Sequence, residues 1–194
     1  MSSKISIINE ALLMIGEDLM ASAEEESRIG DNVRALYDNV RKTALEQYNW
    51  FFASKTAQLQ LVDTLPLITD FNKVYQLPND FLGLSRFFVS DPNGGKKYRL
   101  ESGRILTTFD QVVVKYTFLN ENEGTYSGLF CSYLSSLLAQ KLAYDSTASG
   151  SYAINLNTLV EENFKKAKKH SAAQSPPEDF IQDYNERVGS RFDA

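Results

Sequence analysis

Apolar residues recur at helical spacing close to the N-terminus. In residues 3–15, Ile5, Ile8 and Leu12 fall on one helical face, because residues three or four apart lie above one another on a helix. A serine at position 2 or 3 can cap the start of this helix, and Gly16 is placed to end it. The pattern predicts a first amphipathic helix, followed by an acidic loop over residues 17–26.

The strongest pattern in the chain covers Asp31–Ala53. Its apolar positions follow one another in steps of three and four, and Arg34, Asp38 and Lys42 lie on the opposite face. The spacing predicts one long amphipathic helix. At the end of this segment lies a group of aromatic residues, called the aromatic cluster below: Tyr48, Trp50, Phe51 and Phe52.

From residue 57 to residue 118 the periodicity changes from that of a helix to that of strands. Apolar and polar residues alternate over residues 112–118, which is typical of a half-buried strand. Ser102-Gly103 separates two short β-prone segments and predicts a hairpin. The run Asp91–Gly95 predicts a turn. Residues 57–119 are therefore predicted to form a β-rich insert.

Helical spacing returns after the insert. Lys141 is the only charged residue in the segment 126–144, whose apolar residues predict a helix that is buried on most sides. Residues 156–172 predict a last amphipathic helix that Pro176 and Pro177 follow. The predicted fold class is α+β, an antiparallel four-helix bundle with a small inserted β-rich sub-domain and an extended C-terminal tail. The predicted domains are a helical bundle from residues 1–56 and 120–175, a β-rich sub-domain over 57–119, and a docking tail over 176–194.

Composition narrows the classes of function. Hydrophobic residues make up 43% and charged residues 23% of the 194-residue chain, as in an ordinary globular protein. The net charge is −5, so tight binding of nucleic-acid phosphates is not expected. Cys131 is the only cysteine, which excludes an intramolecular disulfide and a cysteine-based zinc site. No segment is apolar enough to span a bilayer, and we expect a soluble protein without a membrane anchor, made in a reducing compartment.

No residue pattern indicates catalysis, a cofactor or a metal site. His170 is the only histidine and follows Lys165, Lys166, Lys168 and Lys169, which is typical of a solvated basic helix end, although this lysine run could also contact an acidic partner or DNA. Carboxylates are abundant, and a pair of them could hydrolyse a glycosidic bond. They occur in predicted loops and at helix ends, in the following positions: Glu24, Glu25, Glu26, Glu161, Glu162, Asp179 and Asp183.

The segment after Pro177 carries its own apolar stripe. Phe180, Ile181, Tyr184 and Val188 are spaced as on one face of a helix, although they follow the predicted end of the bundle. Such a stripe can dock on a partner or fold back onto its own chain. We favour docking on a partner.

The order of segments resembles the tail tubular protein A family of short-tailed bacteriophages, the head-to-tail adaptors. The resemblance covers nearly the whole chain, the N-terminal half carries most of it, and no single motif is diagnostic. The residues that carry it are Asn9-Glu10-Ala11-Leu12, Ile15-Gly16-Glu17, Tyr37, Arg41, Leu45, Trp50-Phe51-Phe52-Ala53, Tyr75-Gln76-Leu77-Pro78-Asn79-Asp80 and Leu137–Tyr144.

The resemblance implies a structural virion protein in the tail or neck, made in the host cytoplasm. Such adaptors form a ring, usually a dodecamer, that joins the portal protein to the tail nozzle protein and forms part of the DNA ejection channel. Genomic DNA would pass through the lumen without sequence-specific binding. The resemblance makes Phe180, Ile181, Tyr184 and Val188 candidate portal contacts, and it leaves open whether the aromatic cluster lies in the core or between subunits.

Two other classes of function stay open from the sequence. One is a carboxylate-dependent glycan hydrolase that acts on the host envelope, and the other is a small helical binding or scaffold module. The first would be detected by hydrolysis of purified cell-wall glycan. The second would be detected by binding of many apolar peptides to a monomeric chain.

Overall fold

A computed structural model describes residues 2–64, 71–89, 98–145 and 150–175. These ranges contain four α-helices and seven β-strands. The helices are α1 (Lys4–Ile15), α2 (Arg28–Glu46), α3 (Gly128–Asp145) and α4 (Gly150–Gln174). The strands are β1 (Ser54–Gln58), β2 (Gln60–Thr64), β3 (Lys73–Gln76), β4 (Phe81–Val89), β5 (Tyr98–Glu101), β6 (Arg104–Thr107) and β7 (Val112–Phe118).

The ends of α1 follow the sequence signals. The Ser3 side chain accepts a hydrogen bond from the Ser6 backbone N–H, and the Ser6 hydroxyl accepts one from the Ser3 N–H, so two free donors at the helix start are satisfied. Gly16 ends the helix in the left-handed conformation, with φ of 73°. The predicted cap and stop of the first helix are confirmed.

The second helix is shorter than predicted. It begins at Arg28, capped by Ser27, and ends at Glu46, so the prediction of one continuous helix over Asp31–Ala53 is wrong. The Trp50 backbone is extended, and its indole Nε1–H donates a 2.9 Å hydrogen bond back to the Ala44 carbonyl oxygen. That bond satisfies a carbonyl that the helix end leaves free, and the chain then makes a 3₁₀ turn over Phe51–Ala53.

The predicted antiparallel four-helix bundle is also wrong. Each substantial helix–helix contact in the described part of the chain includes α3, which packs against α1, α2 and α4. The physical reason lies in α3 itself, because its apolar residues surround the helix instead of forming one stripe. Three helices therefore cover one central helix. The described residues form an α+β structure in which four helices accompany two antiparallel sheets.

The described strands form two sheets. A three-stranded sheet has the order β1-β7-β4, and a four-stranded sheet has the order β2-β3-β6-β5. All the pairings are antiparallel. The predicted hairpin at Ser102-Gly103 is confirmed and joins β5 to β6. The predicted turn at Asp91–Gly95 lies outside the described residues.

Two hydrophobic cores hold these elements together. The larger core joins the four helices and contains Trp50, and the smaller core lies between the two sheets and contains Tyr75, Ile105 and Val114. Phe118, at the end of β7, packs against both cores. The helical part and the β part are therefore continuous through the end of β7.

Candidate functional site

The aromatic cluster lies where α2 ends and the strands begin. Trp50 is fully buried, and its ring meets Phe130 of α3 edge-to-face at a centroid distance of 4.8 Å. Phe52 is half-buried, contacts Phe130 at 4.8 Å and is stacked on Trp50 at 6.1 Å. Aromatic pairs at these distances stabilise the folded state beyond the free energy gained by burying their apolar surface. The Trp50 ring therefore packs inside this chain.

The other two members of the aromatic cluster lie at its rim. Tyr48 is half-buried, and the ammonium of Lys168 lies over its ring at 5.3 Å. Phe51 is half-buried beside the His170 ring at 6.1 Å, and its backbone N–H donates a 3.0 Å hydrogen bond to the Ser171 hydroxyl. The end of α4 thus holds the outer side of the cluster through polar and ring contacts.

A buried arginine connects α2 to the segment before α3. The side chain of Arg41 is only 8% exposed, and its guanidinium binds Glu121 at 2.9 Å, Glu123 at 3.2 Å and Asp38 at 3.2 Å. The Tyr37 hydroxyl donates a 3.2 Å hydrogen bond to Glu123. These five residues are called the Arg41 network below. A guanidinium can serve several oxygens at once because its donors are spread around a plane.

Burial sets the titration of the tyrosines in this part of the chain. It raises the pKa of Tyr37 well above its ordinary value, and the nearby Glu123 carboxylate raises it further. Burial also raises the pKa of Tyr133 to about 12. Both tyrosines therefore stay neutral at ordinary pH and act as hydrogen-bond donors, which fits an architectural role better than acid–base chemistry.

Asp80 lies directly before β4 and contacts the other two strands of the three-stranded sheet. Its carboxylate accepts a 2.7 Å bond from the Lys55 ammonium on β1 and a 3.0 Å bond from the Tyr116 hydroxyl on β7. Burial alone would raise the pKa of Asp80, but the hydrogen bonds from Lys55 and Tyr116 outweigh it and lower the pKa below its ordinary value. Burial and the Asp80 carboxylate raise the pKa of Tyr116 to about 12.

The carboxylates that could run glycan hydrolysis are not brought together as a buried pair within the described residues. Glu24, Glu26, Glu161 and Glu162 are exposed. Glu25 is half-buried and accepts a 2.7 Å hydrogen bond from the Ala21 N–H. Asp179 and Asp183 lie outside the described residues. An acid with a raised pKa needs burial or a like charge nearby.

The remaining candidate residues have structural surroundings. Cys131 is buried in α3, and burial raises the pKa of its thiol, which keeps it protonated. Within the described ranges, no three or more histidines, cysteines or carboxylates are grouped so that they could hold a metal ion. A helix long and apolar enough to cross a membrane does not occur in the same ranges.

An open groove of about 360 Å³ lies between the start of α3 and the end of α4. Its lining residues are Leu129, Lys166, Lys169, His170 and Ala173.

The candidate portal contacts Phe180, Ile181, Tyr184 and Val188 lie outside the described residues. The predicted basic helix end is partly neutralised, since Lys165 and Lys166 pair with Glu161 and Glu162 one turn earlier, at 3.9 Å and 3.8 Å.

Sequence reasoning missed the Arg41 network and the Asp80 contacts. The partners of Arg41 and Asp80 are distant in sequence, so no local pattern indicates these contacts. The sequence carries one signal for Asp80. The aspartate follows Pro78 and Asn79 in a predicted turn after a strand, and aspartate in a turn often accepts hydrogen bonds.

Comparison of the whole sequence with models of known protein families gives no match, and comparison with curated proteins gives none either.

Proposed function

We propose that the protein is a structural head-to-tail adaptor of a short-tailed bacteriophage. In this proposal, copies of the chain form a ring that joins the portal protein to the tail nozzle protein. Genomic DNA passes through the lumen of the ring, and the protein resides in the neck of the virion after synthesis in the host cytoplasm.

One observation supports the proposal most directly: four of the residues that carry the resemblance make contacts that join or end elements of this fold. The Asn9 side chain binds both the backbone N–H and the carbonyl of Met20, at 2.9 Å and 3.0 Å, and so fixes the loop after α1. Arg41 joins α2 to the segment before α3, and Trp50 ends α2. Asp80 joins β1 to β7. A resemblance at such positions concerns architecture more than surface chemistry.

The charge of the chain supports passage of DNA. With a net charge of −5 per copy, a ring of many copies carries a strongly acidic total charge. Acidic walls repel phosphate, which lets DNA slide, whereas basic walls would retain it.

Measurement of particle mass tests the proposal. The purified full-length chain would be measured alone, and again after addition of the portal protein. We expect a ring of fixed mass in at least one of the two conditions, visible as an annulus in electron micrographs. A chain that stays monomeric at high concentration, with and without portal, would contradict the proposal.

A second readout separates the adaptor from the enzyme alternative. Purified cell-wall glycan would be incubated with the chain and with the Glu161→Gln/Glu162→Gln variant. The adaptor proposal predicts no hydrolysis by either protein. Hydrolysis that the two substitutions abolish would favour the glycan hydrolase instead.

A further inference from the structure

Among the described residues, no strand pairs with the outer edges of the four-stranded sheet, which are β2 on one side and β5 on the other. Every residue of both strands is exposed, and yet both strands carry large apolar side chains. Open edges with apolar residues are uncommon in soluble proteins, because their free N–H and C=O groups bind other strands. The apolar residues are Leu61 and Val62 on β2 and Tyr98 and Leu100 on β5.

The strand register arranges these edge residues in rows across the sheet. One row runs from Leu61 through Tyr75 and Ile105 to Leu100. Its middle members Tyr75 and Ile105 are 1% and 0% exposed, whereas Leu61 and Leu100 at its ends are 49% and 46% exposed. The row therefore continues the apolar face of the sheet to both edges, where nothing within the described residues covers it.

The neighbouring row ends in opposite charges. It runs from Asp63 through Val74 and Leu106 to Arg99. An irregularity in β2 between Leu61 and Asp63 brings Asp63 into this row. One edge of the sheet thus presents leucine and aspartate in adjacent rows, and the other edge presents leucine and arginine in the same two rows.

The number of strands fixes the direction of the two edges. Since all three pairings in this sheet are antiparallel and the sheet has four strands, β2 and β5 run in opposite directions. If a second copy is placed beside the first in the same orientation, its β2 lies antiparallel to β5 of the first copy. This is a head-to-tail contact, which generates a ring when the rotation between copies closes.

We propose that β5 of one copy pairs antiparallel with β2 of the next copy, so that the four-stranded sheet continues around the ring. Each row then continues into the next copy, with Leu100 beside Leu61 of the next copy and Arg99 beside Asp63 of the next copy. Cross-strand pairs of this kind, apolar on apolar and cation on anion, stabilise sheets. The inference rests on the proposed ring and identifies the surface that builds it.

The test uses two full-length variants, each blocked at one edge. The first, Leu61→Lys/Asp63→Arg, has a blocked β2 and an intact β5. The second, Leu100→Lys/Arg99→Asp, has a blocked β5 and an intact β2. The substituted positions are exposed, so circular dichroism should show folded chains; Arg99 also lies over the Phe71 ring at 5.6 Å, and the Arg99→Lys variant controls for that contact.

Neither variant alone should associate beyond a monomer, whereas their mixture should form a one-to-one dimer that does not grow. This outcome is specific, because β5 of the first variant and β2 of the second are both unsubstituted, whereas the two substituted edges would place one introduced lysine against another. Sedimentation velocity at high protein concentration measures it. Dimers of a single variant would indicate a contact between identical edges and would overturn the proposal, as would a mixture that stays monomeric.

Charge reversal gives a second measurement on the same contact. Asp63→Arg alone should lower the apparent association constant by on the order of tenfold, and adding Arg99→Asp in the same chain should restore most of the loss. Lys165→Glu, a reversal on the exposed face of α4, should change association little. If adding Arg99→Asp does not restore association, or if Lys165→Glu lowers association as much as Asp63→Arg does, the specific pairing is overturned.

The inference and the proposed function fail separately. If the wild-type chain forms a ring and the edge variants form the same ring, the sheet contact is wrong and the adaptor function stands. If the two blocked variants dimerise but the wild-type chain forms open filaments and never a ring, the sheet contact stands and the adaptor function is wrong.

Discussion

At the scale of single residues, Trp50 serves two purposes with one side chain. Its ring fills the helical core against Phe130, and its indole N–H caps the end of α2 at the Ala44 carbonyl. A buried indole needs a hydrogen-bond partner, and a helix end needs a donor. The two requirements are met together, which explains why the chain leaves the helix before Trp50.

Replacing Trp50 separates these two contributions. Trp50→Ala should lower the free energy of unfolding by about 3–5 kcal/mol, because it leaves a large cavity. Trp50→Phe keeps most of the apolar volume and loses the N–H donor, so the loss should be about 1 kcal/mol from the hydrogen bond, with a further small packing term. Urea denaturation measures both. If Trp50→Ala loses well under 3 kcal/mol and the chain no longer assembles into an oligomeric ring, the Trp50 indole lies between subunits instead.

Arg41 makes the fold depend on a buried charge. Removing it in Arg41→Met leaves the Glu123 carboxylate, whose side chain is 14% exposed, without its cation. We expect a loss of about 3–5 kcal/mol in the free energy of unfolding, because an unpaired buried charge is costly.

The matched control for Arg41 is a partner at the surface. The Glu121 side chain is 66% exposed, so Glu121→Gln should change stability by at most about 1 kcal/mol. Equal losses for Arg41→Met and Glu121→Gln would mean that the network acts through its exposed pairs.

At the scale of elements, the turn between β5 and β6 places two residues in the left-handed region. Ser102 has φ of 49° and Gly103 has φ of 72°. Glycine adopts such angles without cost, whereas serine does so against its side chain. Two left-handed residues match the twist of the strands they connect, which is why such turns close hairpins.

Substitutions in this turn should have opposite signs. Gly103→Ala should destabilise the protein by about 1–2 kcal/mol, and the cost comes from the backbone, since no atom lies within 4 Å of the added carbon. Ser102→Gly should be neutral or stabilising by a few tenths of a kcal/mol. Thermal unfolding of both variants checks the order. Destabilisation by Ser102→Gly larger than that by Gly103→Ala would contradict this account of the turn.

The elements that the sequence predicted well are those with local signals. Gly16 ends α1 because glycine tolerates a left-handed angle, and the Ser102-Gly103 hairpin follows from residues that are adjacent in the chain. The end of α2 could not be predicted this way, since Tyr48 and Phe51 continue the helical spacing past Glu46. The bond from Trp50 to the Ala44 carbonyl is not visible in the sequence pattern. Helix α4 begins at Gly150, earlier than the predicted position 156. Residues 150–155 carry no apolar stripe, and periodicity detects a helix only where such a stripe is present.

At the scale of the whole molecule, the arrangement of helices escaped prediction for a different reason. The sequence showed four helices with apolar residues, and a bundle is the simplest way to bury four stripes. The apolar surface of α3 surrounds the helix, so α1, α2 and α4 each find a face of the same neighbour. The Arg41 network was equally hidden, because Glu121 and Glu123 lie 80 and 82 residues away.

The tail gives a prediction at this scale. Deleting residues 176–194 removes the candidate portal contacts Phe180, Ile181, Tyr184 and Val188, and should therefore abolish attachment to portal. The rest of the chain should stay folded, because α4 ends at Gln174. Co-sedimentation with portal and circular dichroism measure the two parts. A substitution of all four residues by serine is the matched control, and undiminished attachment of either variant would exclude the docking role.

The central position of α3 also governs how the chain reaches its fold. Ser135 of α3 binds the Ile7 carbonyl of α1 across 128 residues of sequence, and Tyr37 binds Glu123 across 86. Such distant contacts slow folding, because long loops must close before burial rewards them. During synthesis, the apolar faces of α1 and α2 emerge long before α3 exists to cover them. Folding of the helical core therefore waits for the second half of the chain, and the nascent first half is the state most exposed to aggregation.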